Sequence, residues 1–192
     1  RDDDPICAYF HTGGTTGMPK VSQHRHSGAI YNGWLGANLL MDENDVVICP
    51  MPLFHVFAAY PAWLVIMTAG AHMVMPTPAG YRGDGVFDNF LFNKFQETTD
   101  VSIVEGYGMT EATCLISCNP PDGEHKIGSV GLPLPYTEVR ILHIDAKGQV
   151  SKECDVGQTG EVCVYNAGVV VGATYTDPAK NKMLYVDDKY MR

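Results

Sequence analysis

Alternation between apolar runs and amphipathic stretches organises the first half of the chain. Short apolar runs at residues 6–10, 46–49, 71–75 and 101–104 read as strands. Between them, apolar residues at helical spacing predict helices over residues 27–40, 57–68 and 86–98, the second stopped by Gly70. Strands separated by helices predict an α/β fold, a parallel sheet flanked by helices, with ligand loops at the carboxyl ends of the strands. Beyond Ile127 the pattern changes. Two β-rich segments, 138–144 and 161–165, are separated by turn sequences such as Asp145-Ala146-Lys147-Gly148 and Gly157-Gln158-Thr159-Gly160. A small β-rich subdomain follows from that pattern.

Composition narrows the function. The 192 residues suffice for one ordinary domain or two small ones with a substantial core. Net charge is −9, from 13 basic and 22 acidic residues, and no basic block is interleaved with aromatic side chains. That balance argues against nucleic acid as a partner. Cys7, Cys49, Cys114, Cys118, Cys154 and Cys163 lie mostly in apolar segments without C-x-x-C spacing, which points to buried thiols in a reducing, cytoplasmic setting. Leu115 and Ile116 make a core strand of the Cys114–Cys118 stretch rather than a metal site. The longest apolar stretch, 58–71, is interrupted by Pro61 and no signal-like run is seen, so no membrane segment is expected. His24, Arg25 and His26 read as the polar lead-in to the next helix, since adjacent side chains point apart and no third ligand is in reach. Asp2-Asp3-Asp4 and Asp187-Asp188 read as solvated surface.

The densest chemistry lies in Thr12-Gly13-Gly14-Thr15-Thr16-Gly17-Met18-Pro19-Lys20, directly after the first apolar run. Glycines let a backbone turn several N–H groups toward one anion, while threonine hydroxyls and a lysine ammonium add donors and charge. This is the composition a polyphosphate requires. A Walker loop is excluded because Lys20 follows Pro19 and precedes Val21, and a dinucleotide fingerprint is excluded because G-x-G-x-x-G is absent here. Pro19 also argues against a helix opening on the loop.

Residues 10–20 resemble the signature loop of the adenylate-forming superfamily, which holds acyl-CoA synthetases, luciferases and the adenylation domains of peptide synthetases. Two further stretches match in the family's order. Pro52-Leu53-Phe54-His55 resembles the motif beside the carboxylate substrate, and Gly106-Tyr107-Gly108-Met109-Thr110-Glu111 resembles the adenine and magnesium motif. Gly128-Ser129-Val130-Gly131 and Thr159-Gly160-Glu161-Val162 extend the resemblance over nearly the whole chain. It implies a fragment of the family's large N-terminal domain, with a nucleotide-binding α/β subdomain over 1–126 and a truncated β-rich subdomain over 127–192. The spacing between His55 and Tyr107 is shorter than the family's, with a join near Phe90-Leu91. The chain stops at Tyr190-Met191-Arg192, before the family's Thr-Gly-Asp motif and mobile C-terminal domain. Either residues of a longer enzyme are left out, or the protein is proteolysed or truncated.

The resemblance implies an AMP-forming acyl-CoA synthetase. Such an acid–thiol ligase activates a carboxylic acid with ATP to an acyl-adenylate and transfers the acyl group to coenzyme A. Thr12, Gly13, Gly14, Thr15, Thr16, Gly17 and Lys20 would hold the β- and γ-phosphates. Thr110 would donate to the α-phosphate, and Glu111 would bind Mg²⁺. Tyr107 would face adenine, with Gly106 and Gly108 letting the base lie close. His55 would line the junction of carboxylate and nucleotide, which makes His55, Thr110, Glu111 and Lys20 the candidate catalytic residues. Amino-acid-activating members carry an aspartate near His55; its absence here favours a fatty or aromatic acid. A homodimer is a further expectation. Each residue also has a plainer reading: Lys20 solvated, Thr110-Glu111 as a helix cap, Tyr107 packed in a turn, His55 satisfied in a core. A module that binds ATP or AMP without turnover is the reading from another class.

Overall fold

The computed structural model describes residues 3–12, 18–49, 51–75, 97–98, 103–145 and 149–192. Gly13, Gly14, Thr15, Thr16 and Gly17, the join near Phe90-Leu91 and nearly all of the helix expected over 86–98 lie outside the described residues, although Glu97 and Thr98 are helical.

Strand β1 (Ile6–His11) pairs antiparallel with β2 (Val21–Arg25). The Thr12 N–H donates to the Lys20 carbonyl at 2.9 Å, so the glycine-rich loop is closed by a hairpin and followed by a strand. Helix α1 (His26–Leu39) has no cap from its own Arg25. Asp4 supplies one from across the chain: its carboxylate accepts the Ser27 N–H at 3.0 Å and the Ser27 hydroxyl at 2.6 Å. The acidic opening is therefore not wholly free surface. Those bonds hold the Asp4 carboxyl below its usual range.

Strands β3 (Val46–Ile48) and β4 (His72–Val74) are parallel, and are the only parallel pair among the described residues. They flank a π-helical run, Ala58–Leu64, that passes into α2 (Val65–Ala69) and ends on left-handed Gly70. Pro61, which has no N–H to give, sits inside that run, the kind of place where a helix widens. Helix α1 lies so close to α2 that a Cβ on Gly36 would fall 2.2 Å from the Val65 side chain.

The remaining strands are antiparallel. β5 (Gly106–Met109), β6 (Cys114–Cys118) and β7 (Leu132–Pro133) form one sheet. β8 (Glu138–Ile144), β9 (Val150–Glu153), β10 (Glu161–Tyr165), β11 (Tyr185–Val186) and β12 (Tyr190–Met191) form another, in the order β11-β12-β10-β8-β9. A short helix, α3 (Pro178–Asn181), precedes β11 and is capped by Asp177. Ala112 and Ile116 share a core with Val164, Val169 and Met191, and Tyr31 and Leu35 share one with Leu134, so both ends of the chain are packed together. Ile103 and Val104 lie outside any strand, which corrects the strand expected over 101–104 in its described half. Cys49, Cys114 and Cys163 are buried as expected, but Cys7 is exposed.

Candidate functional site

The site is built around the turn that joins β5 to β6. Thr110–Ala112 forms one 3-10 turn, after which Thr113 and Cys114 both take positive φ, 54° and 85°. Non-glycine residues rarely adopt that region, and two in succession need strong support. Thr113 donates its hydroxyl to the Gly168 carbonyl at 2.7 Å. The Leu115 N–H donates to buried Asn32 at 3.3 Å, and buried Asn166 donates to the Leu115 carbonyl at 3.2 Å. Gly108 is required by close approach: a Cβ there would lie 1.8 Å from the Cys114 carbonyl oxygen.

Two groups of predicted residues meet at this turn. On one side, His55, Gly106, Tyr107, Gly108 and Thr110 line one cavity of about 650 Å³, walled by apolar side chains such as Val47, Ile48, Val56 and Phe57. His55 is exposed at its edge and accepts the Phe57 N–H on Nδ1 at 3.2 Å, so it also caps the helical run that follows. Burial, with the Glu111 charge second, raises the Tyr107 phenol above its ordinary range.

On the other side is a polar cluster. Tyr175 donates its hydroxyl to Glu111 Oε1 at 2.6 Å, and Lys20 Nζ lies 3.4 Å from the same hydroxyl and 4.6 Å from the ring centroid. Burial first, then Glu111, drives the Tyr175 phenol far above its usual value, so it stays a donor. Tyr175 is the residue that sequence reasoning missed. It comes from residues 173–176, a Thr-Tyr-Thr stretch that reads only as β-forming sequence before Asp177-Pro178.

His24 lies beneath both groups. It is fully buried, stacks on Tyr60 at 5.4 Å between centroids, and shares a 3.1 Å hydrogen bond between Nδ1 and the Tyr60 hydroxyl. Phe10 closes the other side at 5.0 Å. Burial lowers the imidazole to about 4, and the Thr110 backbone beside the ring offsets only part of that. His24 is thus no polar lead-in to α1. Its alternate position on β2 turns it inward, whereas Arg25 and His26 stay exposed. No group of three His, Cys, Asp or Glu side chains suited to a metal occurs among the described residues. Nor is any described helix long and apolar enough to cross a membrane.

An apolar cleft and the Lys20–Tyr175–Glu111 cluster thus meet at one Thr-Glu turn in an α/β fold. The chain matches the family described as AMP-binding enzyme over residues 1–89 and 83–173, and it belongs to that family. It is 30% identical to the marinolic acid–CoA ligase of Pseudoalteromonas sp. (strain SANK 73390), over 85% of this chain and 33% of the relative. It is 27% identical to the long-chain-fatty-acid–CoA ligase of Escherichia coli O157:H7, over 84% of this chain and 36% of that protein. The chain spans about a third of the length of these ligases. The first alignment runs over 217 positions, more than this chain's 192 residues, so that relative carries residues this chain lacks. The fold is similar to that of ATP-bound MatB from Rhodopseudomonas palustris, with TM-score 0.83 and 22% identity over 100% of this chain and 45% of that one. It also resembles the anthranilate CoA ligase AuaEII, with TM-score 0.82 and 19% identity over 98% and 44%.

Proposed function

We propose that the protein carrying this chain is an AMP-forming acyl-CoA synthetase that activates a fatty or aromatic carboxylic acid. One observation carries the reading: the Thr110–Ala112 turn borders the cavity through Thr110 and joins the Lys20 cluster through Glu111. A substrate that fills the cleft and reaches the acid–base pair must have an extended body and a charged end. ATP has that shape, and a carboxylate bound near His55 would lie at the junction.

In this reading Tyr107 offers its face to adenine, and Gly106 and Gly108 keep the backbone low beside it. Thr12, Gly13, Gly14, Thr15, Thr16, Gly17 and Lys20 hold the β- and γ-phosphates. Thr110 donates to the α-phosphate. Glu111 presents a hard carboxylate oxygen beside the hydroxyls of Thr110 and Tyr175, which suits Mg²⁺ held by one carboxylate and the phosphates. A bound Mg²⁺ would neutralise phosphate charge. A carboxylate oxygen of the acid bonds to the α-phosphorus as the bond to pyrophosphate breaks, and no proton moves. Alignment by His55 and Thr110 and neutralisation by Lys20 are therefore what the chain contributes. In the second step the sulfur of coenzyme A bonds to the acyl carbon, AMP leaves, and the thiol proton goes to solvent. The apolar wall of the cavity suits an acid without an ammonium group. A cytoplasmic setting, where ATP and coenzyme A are both available, fits this reading.

The test is carboxylate-dependent exchange of labelled pyrophosphate into ATP by the full protein. Exchange with a fatty or aromatic acid is expected. ATP binding without exchange across a broad acid panel would overturn the ligase reading in favour of a nucleotide-binding module.

A further inference from the structure

The side chain that joins Lys20 to Glu111 is held with unusual care by the backbone around it. Residues 173–176 run along β2. The Gln23 N–H donates to the Thr174 carbonyl at 2.8 Å, the Thr176 N–H donates to the Val21 carbonyl at 3.0 Å, and Ser22 faces Tyr175 in an antiparallel bridge. The Gln23 amide donates to the Ala173 carbonyl at 2.8 Å. The Tyr175 N–H is spent on Asn181 Oδ1 at 2.9 Å. The ring is thus delivered to the site from the far end of the chain and is 4% exposed.

We propose that Tyr175 is a positioning residue that keeps Lys20 and Glu111 apart and poised, leaving the second carboxylate oxygen of Glu111 for a divalent cation that arrives with the nucleotide. The phenol has one proton, and Glu111 receives it; the phenol oxygen then faces the ammonium of Lys20 as an acceptor. The result is a directed chain from cation to phenol to carboxylate, with charge assisting both ends. Without the phenol oxygen that bridges them, the ammonium and the carboxylate would close into a direct ion pair. The ammonium would then take the carboxylate oxygen meant for the metal, while its other two N–H donors still serve phosphate. The ring face gives Lys20 a second hold through its π-electrons.

The inference rests on the nucleotide-binding reading, and its test separates the two. Mn²⁺ with ATP is titrated into the full protein and free Mn²⁺ is followed by electron paramagnetic resonance, while metal-free ATP binding is measured by calorimetry in chelator. Tyr175→Phe should raise the dissociation constant for Mn²⁺–ATP about tenfold and change that for metal-free ATP by less than about twofold. Tyr175→Leu, which also removes the ring, should weaken both. A merely structural role would lower the melting temperature and move the two constants together, and that result overturns the proposal. So does a Tyr175→Phe protein that binds Mn²⁺–ATP as the parent does. Failure of the parent to bind ATP at all would instead remove the nucleotide-binding reading, and this inference with it.

Discussion

The two hairpins that carry the site, β1–β2 and β5–β6, are both antiparallel pairs with a candidate ligand-binding turn, yet they are built on opposite terms. The first is joined by the residues between Thr12 and Lys20, whose richness in glycine and threonine is what the sequence offers for the proposed phosphate contacts. The second turns within Thr110–Ala112 and reaches its partner strand through two residues at positive φ. Its conformation is imposed from outside, by Asn32, Asn166 and the Gly168 backbone. One turn is recognisable from its composition, and the other is held by tertiary contacts. A substitution that a glycine-rich loop absorbs should therefore be ruinous in the second hairpin.

The largest break in that comparison is Gly108→Ala. The added methyl would overlap the Cys114 carbonyl, a backbone atom that cannot rotate away, so the β5–β6 pairing must open. We expect a loss of about 3 kcal/mol or more in urea unfolding, together with loss of ATP binding. The β5–β6 register shifts between Tyr107 and Gly108, and unchanged stability would show that this irregularity is adaptable and would end the contrast between the hairpins.

Acid should separate the hairpins next. His24 sits on β2 and packs under the turn of the other hairpin. Its folded-state value, about 4, lies below the ordinary 6.5, so the unfolded chain takes up the proton first as pH falls. The stabilisation is therefore complete above pH 6.5 and declines toward pH 4, by roughly 3 kcal/mol across that window. Urea midpoints measured from pH 7 to 4 should fall for the parent and stay flatter for His24→Phe. Parallel curves would mean that His24 is not the group that senses acid.

Asn166→Ala comes third. It removes the donor to the Leu115 carbonyl and the acceptor of the Gly168 N–H, bonded at 2.9 Å. Leaving these buried groups unmet should cost about 2 kcal/mol, read as a lower urea midpoint. Hydrogen exchange would show the cost falling on β6 and not on β2; equal loss of protection in both strands would mean that the two hairpins share their support.

The same contrast explains what the sequence disclosed. The bounds of β8 and β10 and nearly those of α1 were readable because β-rich runs stop at turn sequences and apolar residues recur at helical spacing. β2 was not, since Val21-Ser22-Gln23-His24-Arg25 has one aliphatic residue and becomes a strand by pairing with β1 and with residues 173–176. A helix over residues 57–68 was readable, but the π-helical widening of its Ala58–Leu64 part was not, apart from Pro61 inside it. Within the site, the motifs drew attention to His55, Gly106, Tyr107, Gly108, Thr110, Glu111 and Lys20, which the cavity, the Thr110–Ala112 turn and Tyr175 connect. Tyr175 was not legible, because its role comes from a strand register about 150 residues distant in sequence. Local patterns report what a residue can bind; only the fold reports which neighbour it is held against.

The smallest effect concerns one hydroxyl in each hairpin. Ser22 Oγ on β2 and Ser117 Oγ on β6 are buried with no hydrogen-bond partner among the described residues. A buried hydroxyl without a partner has lost its water and gained nothing, so Ser22→Ala should leave stability unchanged or raise it by up to about 1 kcal/mol. Ser117→Ala should do the same for stability, but Ser117 and Tyr107 both line the cavity of about 650 Å³ and also a smaller cleft. If adenine seats against Tyr107, its polar edge has an unused hydroxyl within the same lining. Ser117→Ala should then weaken ATP binding about threefold while Ser22→Ala leaves it alone, with melting temperatures rising slightly or not at all in both. Equal ATP affinity in the two variants would make Ser117 a packing residue like Ser22, and would take the base away from that face of the tyrosine.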